Sequence, residues 1–260
     1  MTELDRSPFP RDEMVLDHLP IFSLDRQLLR KKNIVGFNNR AIETRAFNLL
    51  RTTFAKNLKA EGYRVVGITS AAPDAGKSFL TVNLGASLSF VSDGPVFLVD
   101  LDLRRASLAS SIGLEPGASV NDYLSGGESD LLQIGVRIKG SEVAVFPAAR
   151  TRKPPVELLA GDRLADMMAA LRSINETATV LVDLPPVFAD DDAMIIAEHL
   201  DAYLLVVDAG KTTKNQVKQA LAMMQPTSCI GTVINRYRGG LTDPYGYGYG
   251  YGAYQDYYEN

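Results

Sequence analysis

The sequence predicts an α/β fold, a doubly wound and mostly parallel sheet with helices on both faces. Short runs such as "RVVGITS", "PVFLVD", "ATVLVDLPP" and "AYLLVVDAG" are apolar at consecutive positions, as strands buried on both faces must be. Between them lie stretches of helical period long enough to cross back over a sheet, so strand and helix alternate from residue 64 to residue 235.

Residues 1–37 mix proline, charge and isolated apolar side chains without a sustained period, which predicts an N-terminal arm, extended and packed in places. From Ala41 the pattern changes: Phe47, Leu50, Phe54 and Leu58 recur at helical spacing, predicting an amphipathic helix that ends near Gly62. A strand over 64–70 leads to a helix beginning near Lys77, and "PVFLVD" to helical stretches through Leu124. Then come "EVAVFPA", a helix through "RLADMMAALRSI", "ATVLVDLPP", a helix near "AMIIAEHL", "AYLLVVDAG", a helix through "NQVKQALAMM" and a last strand, "CIGTVIN". Cys229 in that strand reads as a core filler, and one cysteine in the whole chain excludes a disulfide framework and fits a reducing compartment. Beyond Leu241 no aliphatic residue follows, and tyrosines stand at Tyr245, Tyr247, Tyr249, Tyr251, Tyr254, Tyr257 and Tyr258 with glycine alternating between the first four. Such a segment has too free a backbone and too little to bury, so residues 237–260 are expected to be a disordered, exposed tail. Residues 38–236 would form the one folded domain.

A net charge of -4 and a pI near 5.3 leave no basic stripe to replace counterions on a phosphate backbone, which argues against nucleic-acid binding. The start "MTELDRSPFPRDEM" lacks the basic and apolar regions of a signal peptide, and nowhere do 18 consecutive residues stay apolar. A cytoplasmic chain is expected, and any membrane role would need a partner.

"VVGITSAAPDAGKSFLTVNLG" places a Gly/Ala-rich turn between strand and helix, with Gly76, Lys77 and Ser78 at the junction. Backbone N–H groups of such a turn wrap phosphates, a lysine there neutralises the β and γ phosphates, and the serine hydroxyl ligates Mg2+. The segment Ala72, Pro73, Asp74, Ala75, Gly76, Lys77, Ser78 and Phe79 is therefore the expected ATP cradle of a P-loop NTPase-like fold. Ala71 stands where the motif usually has its first glycine, and the Asp74 carboxylate must point outward to avoid the phosphates. "VFLVDLDLRR" ends a strand with Asp100 and Asp102, and "VLVDLPP" ends another with Asp183; strand C-termini are where an open parallel sheet binds ligands. Each aspartate alone reads as a cap or turn former, whereas three beside a phosphate loop point to Mg-ATP chemistry. The run Asp190, Asp191, Asp192 reads as a helix N-cap with an acidic first turn rather than a metal site.

With these motifs the chain resembles the bacterial tyrosine autokinases (BY-kinases) that accompany capsule and exopolysaccharide export. The resemblance runs from about Ile42 to the end and rests on "SAAPDAGKS", "FLVDLDLR", "VLVDLPP" and the tyrosine tail, with "SVNDYL", "VFPAAR", "PPVELL", "VVDAGKTTKNQV" and "GTVIN" between them. The Gly-Tyr alternation is similar to tails of members found beside exosortase-linked clusters. The resemblance implies an ATP- and Mg2+-dependent protein-tyrosine kinase that modifies its own tail tyrosines, between subunits of a homo-oligomer, and other tyrosine-containing proteins as well. It implies that Lys77 holds the β and γ phosphates, that Ser78, Asp102 and Asp183 serve the metal, that Asp100 orients or deprotonates the incoming hydroxyl, and that Arg104 stabilises charge. It also implies a partner, the cytoplasmic segment of a membrane polysaccharide co-polymerase or chain-length regulator, which would recruit the chain to the inner face of the plasma membrane. One stretch departs from the pattern: in "RAFNLLRT" Arg45 replaces the usual glutamate and Asn48 the usual first arginine of a subunit-contact motif, while Arg51 and Thr52 are retained and Glu43 lies close by. Two alternatives stay open. One is a partitioning-type P-loop ATPase, against which Ala72 stands where a second lysine is usual; the other is a non-catalytic nucleotide-binding regulatory subunit of polysaccharide export.

Overall fold

The structure is a computed structural model that describes residues 15–39, 42–128, 130–151, 154–173 and 177–237; the tail tyrosines lie outside the described residues. Eight strands form one sheet: β1 (Ile21–Phe22), β2 (Val65–Ser70), β3 (Val96–Asp100), β4 (Val136–Ile138), β5 (Val143–Phe146), β6 (Thr179–Asp183), β7 (Ala202–Asp208) and β8 (Ser228–Asn235). Their spatial order is β1-β4-β5-β3-β6-β2-β7-β8, and every neighbouring pair is parallel except β4 with β5.

The α-helices are α1 (Arg26–Lys31), α2 (Arg45–Glu61), α3 (Lys77–Leu88), α4 (Leu108–Ile112), α5 (Val120–Leu124), α6 (Leu131–Ile134), α7 (Val156–Leu159), α8 (Asp162–Ser173), α9 (Asp192–Ala197) and α10 (Lys214–Met223). They cover both faces. Alternate strand residues feed two cores: Val65, Phe97, Val99, Val180 and Val182 pack with α5 to α10, and Val66, Ile68, Leu98, Leu181 and Val206 with α1 to α4. A strand clad on both sides buries every residue it has, which is why β2 and β3 read as unbroken apolar runs.

The segment before α2 takes part in this architecture. Leu16, Leu19, Leu29 and Ile34 are buried, β1 adds to β4 at the sheet edge, and the buried Asn83 carboxamide of α3 accepts from the backbone of Val35 and Gly36 at 2.8 and 2.9 Å. A Cβ at Gly36 would fall 2.2 Å from the Asn83 carbonyl oxygen, so this close approach requires glycine.

At the opposite edge β8 has a neighbour on one side only, and its residues are exposed or half-buried throughout. Cys229 is consequently exposed, and its expected role as core filler does not hold. An edge strand has half the cover of an inner one, and an apolar spelling does not distinguish the two. No helix among the described residues is long and apolar enough to cross a membrane.

Candidate active site

The C-terminal ends of β2, β3, β6, β7 and β8 converge on one crevice. Between β2 and α3 the chain makes the tight turn 71–76, in which Asp74 and Gly76 adopt positive φ, 61° and 94°. Gly76 is needed for space as well as for its dihedral, because a Cβ there would lie 2.2 Å from Nδ2 of Asn235. That amide, at the end of β8, donates to the Ala75 carbonyl at 2.8 Å. The next residue, Arg236, donates to the Asp74 carbonyl at 2.6 Å and to the Asp208 carboxylate at the end of β7 at 2.7 Å. The loop is thus braced from the β8 side.

Lys77, the first residue of α3, is buried with its Nζ 3.6 Å from Asp102. Ser78 receives a hydrogen bond from Ser107 at 2.6 Å. Asp183, at the end of β6, is fully buried: Thr81 approaches one of its oxygens at 3.5 Å, while the other, Oδ2, has no partner. Burial pushes the Asp183 carboxyl up to about 7 against the opposing pull of the Lys77 ammonium. Asp100 is buried too, and its oxygens accept from the backbone N–H groups of Asp102 (3.2 Å) and Leu108 (3.0 Å). Burial, reinforced by the nearby Asp183 charge, holds the Asp100 carboxyl well above its usual range.

The expected site residues Lys77, Ser78, Asp100, Asp102 and Asp183 therefore meet at one place. Arg104 is committed elsewhere. Its guanidinium spans Asp192 at 2.7 Å and Asp190 at 2.6 Å, fastening the loop after β3 to the loop after β6. The run 190–192 opens α9 as expected, with Asp191 at the N-cap position and Asp192 in the first turn, although Asp191 makes no side-chain cap hydrogen bond and its two neighbours also serve Arg104. Asp74 does point outward, 71% exposed, and pairs with Arg105.

Asp208, Asn235, Arg236, Arg105 and Ser107 were not singled out from sequence. Asp208 carries the same signal as Asp100 and Asp183, an acidic residue closing an apolar strand, and could have been found by it. The others act through contacts across long chain separations, which spacing does not encode.

The donor set fits a nucleotide with its metal. Positive-φ turn, buried lysine and serine follow in phosphate-loop order, and the orphaned Asp183 oxygen is an unmet acceptor in the crevice wall. Among the described residues no three acidic, imidazole or thiol groups gather tightly enough to hold a metal alone. Mg2+ is commonly bound by one or two carboxylates together with phosphate and water, which these residues can provide.

No protein-family model matches the chain. Curated relatives include the tyrosine-protein kinase CpsD of Streptococcus agalactiae serotype III, 28% identical over 73% of this chain and 81% of that protein. Another is the tyrosine-protein kinase YwqD of Bacillus subtilis, 28% identical over 77% of this chain and 90% of that one. Of other such relatives, among them the tyrosine-protein kinase ptk of Acinetobacter johnsonii, the chain spans only 26–28% of the length. In three dimensions it is similar to the VpsO kinase domain (TM-score 0.64, 26% identity, 73% of this chain and 94% of that one). It also matches the kinase domain of the Escherichia coli tyrosine kinase ETK (TM-score 0.68, 24% identity, 85% and 92%). A more distant fold match is a Mycobacterium smegmatis cobyrinic acid a,c-diamide synthase solved with an ATP analogue and magnesium (TM-score 0.54, 20% identity, 68% and 78%). By sequence and by fold, the chain is a homologue of the bacterial tyrosine-protein kinases.

Proposed function

We propose that this chain is a Mg-ATP-dependent protein-tyrosine kinase that phosphorylates its own C-terminal tyrosine cluster, Tyr245 to Tyr258, between subunits of a homo-oligomer. The observation that carries the reading is the convergence of Lys77, Ser78, Asp102 and Asp183 behind a phosphate loop braced from β8. Lys77 neutralises the β and γ phosphates once it leaves Asp102. Ser78, Asp102 and Asp183 would hold Mg2+, which when bound supplies charge neutralisation across the transferring phosphoryl group. Asp100 acts as a positioning residue: by accepting from the N–H groups of Asp102 and Leu108 it fixes the loop that presents Asp102. Its burial argues for orienting the acceptor side of the site rather than taking the proton directly. Arg104 likewise positions, through its two ion pairs.

The biological setting is exopolysaccharide or capsule polymerisation and export. There the chain works at the inner face of the plasma membrane, docked on the cytoplasmic segment of a membrane co-polymerase. The test is incubation of the purified chain with labelled ATP and Mg2+ followed by phosphotyrosine detection. Wild type should label its tail and Lys77→Met should not. Hydrolysis of ATP without any phosphotyrosine would instead favour the partitioning-type ATPase.

A further inference from the structure

Phe188 is one of the large apolar side chains left at the surface, 38% exposed, and it joins neither core. Val187 before it is fully buried, while Ala189, Asp190 and Asp191 after it are exposed along with it. The main chain here is fixed. Leu184 donates to Ile68, Val187 to Ser70 at 2.8 Å and Phe188 to Ala71 at 3.2 Å, so the segment after β6 runs beside β2 as far as the first residues of the phosphate loop. From the other side Arg104 grips Asp190 and Asp192, just beyond Phe188. Since β6 lies between β3 and β2, Phe188 follows a strand flanked by the one that leads to Asp102 and the one that leads to Lys77.

An exposed ring carried on a main chain fixed by hydrogen bonds is preorganised for a partner. The chemistry that fits is another flat ring: offset or edge-on aromatic pairs gain about 0.5–1.5 kcal/mol beyond area burial, a factor of about two- to tenfold in affinity. The chain itself carries a source of such rings in Tyr245, Tyr247, Tyr249 and Tyr251, each next to glycine, so no neighbouring side chain obstructs the approach of a ring. We infer that Phe188 is the acceptor-docking residue, on which the phenol ring of a tail tyrosine packs while its hydroxyl faces the phosphate site. The inference rests on the kinase reading above.

The experiment adds a peptide of residues 243–260 to the full chain at saturating Mg-ATP and measures phosphate transfer to it as peptide concentration varies. Phe188→Ala should raise the peptide KM about three- to tenfold and leave the KM for ATP unmoved. Phe188→Tyr should restore the wild-type value and Phe188→Leu only part of it, because leucine supplies apolar area without a ring. An unchanged peptide KM in Phe188→Ala overturns the assignment, as does an equal rise in the KM for ATP, which would report a damaged phosphate loop. Full rescue by leucine overturns the ring-on-ring contact. If wild type transfers nothing to the peptide, the kinase reading fails first and takes this inference with it; a wild type that is active beside an unaffected Phe188→Ala sinks the inference alone.

Discussion

On the β8 flank the phosphate loop hangs from its carbonyl oxygens: Asn235 holds Ala75, and Arg236, seated on the buried Asp208, holds Asp74. On the β3 and β6 flank Val187 and Phe188 donate to Ser70 and Ala71, and the side-chain braces are ion pairs, Arg104 with Asp190 and Asp192, and Arg105 with Asp74, most of them partly in solvent. Bonds to backbone carbonyls fix a shape and are largely indifferent to ionic strength. Exposed ion pairs are screened by salt and are individually weak. The β8 flank is therefore the more rigid, and the side-chain pairs of the β3 and β6 flank are the more readily released.

Gly76→Ala attacks the rigid flank and should do the most damage. Alanine at φ 94° is strained and its Cβ would displace the Asn235 amide, so the KM for ATP should rise about tenfold or more, read by nucleotide titration. Arg104→Gln attacks the releasable flank. Phosphotyrosine formation should fall about fivefold in kcat with little change in the KM for ATP, and wild-type activity should lose more than the variant's as salt is raised. Restoring part of the loss with Asp192→Asn in the same chain would confirm that the buried, newly unpaired Asp192 is the cause.

Asp183 sits where the flanks meet, and its titration sharpens the contrast. Its folded-state pKa of about 7 lies above the ordinary 3.8, so the stability it contributes is complete below pH ~4 and is lost as pH rises through about 7 in metal-free buffer. Asp183→Asn should therefore melt several degrees above wild type at pH 8 without Mg2+ and nearly level with it at pH 4, a difference that thermal denaturation resolves. The smallest effect belongs to Asp74→Asn. Asparagine tolerates the left-handed backbone, the lost pair with Arg105 is exposed, and the KM for ATP should stay within about twofold of wild type.

The rigid flank was the less legible of the two in sequence. Lys77, Ser78, Asp102 and Asp183 announce themselves because strand-ending aspartates and a Gly-Lys-Ser turn are local patterns. Asn235 and Arg236 reach residues 160 positions or more away, and nothing in "VINR" says so. The alternation of strands and helices was likewise plain, since strands clad on both faces are spelled by consecutive apolar residues. β1, with two residues, and β4, with three, are too short to carry a period, and so the antiparallel turn at that edge went unseen. Cys229 shows the converse failure: an apolar spelling predicts burial, and only the strand's place at the sheet edge decides it.

The bracing by Asn235 and Arg236 also decides where this chain can be cut. Asn235 ends the last strand and Arg236 follows it, and the tyrosine-bearing segment begins just after them. A tail-less variant terminated at Ile234 would discard the supports of the phosphate loop together with the proposed acceptors, and any lost activity would be charged to the wrong part of the molecule. Ending the chain after Tyr237 removes the cluster Tyr245 to Tyr258 while leaving the Ala75 and Asp74 carbonyls held. The stop codon belongs on the far side of Arg236.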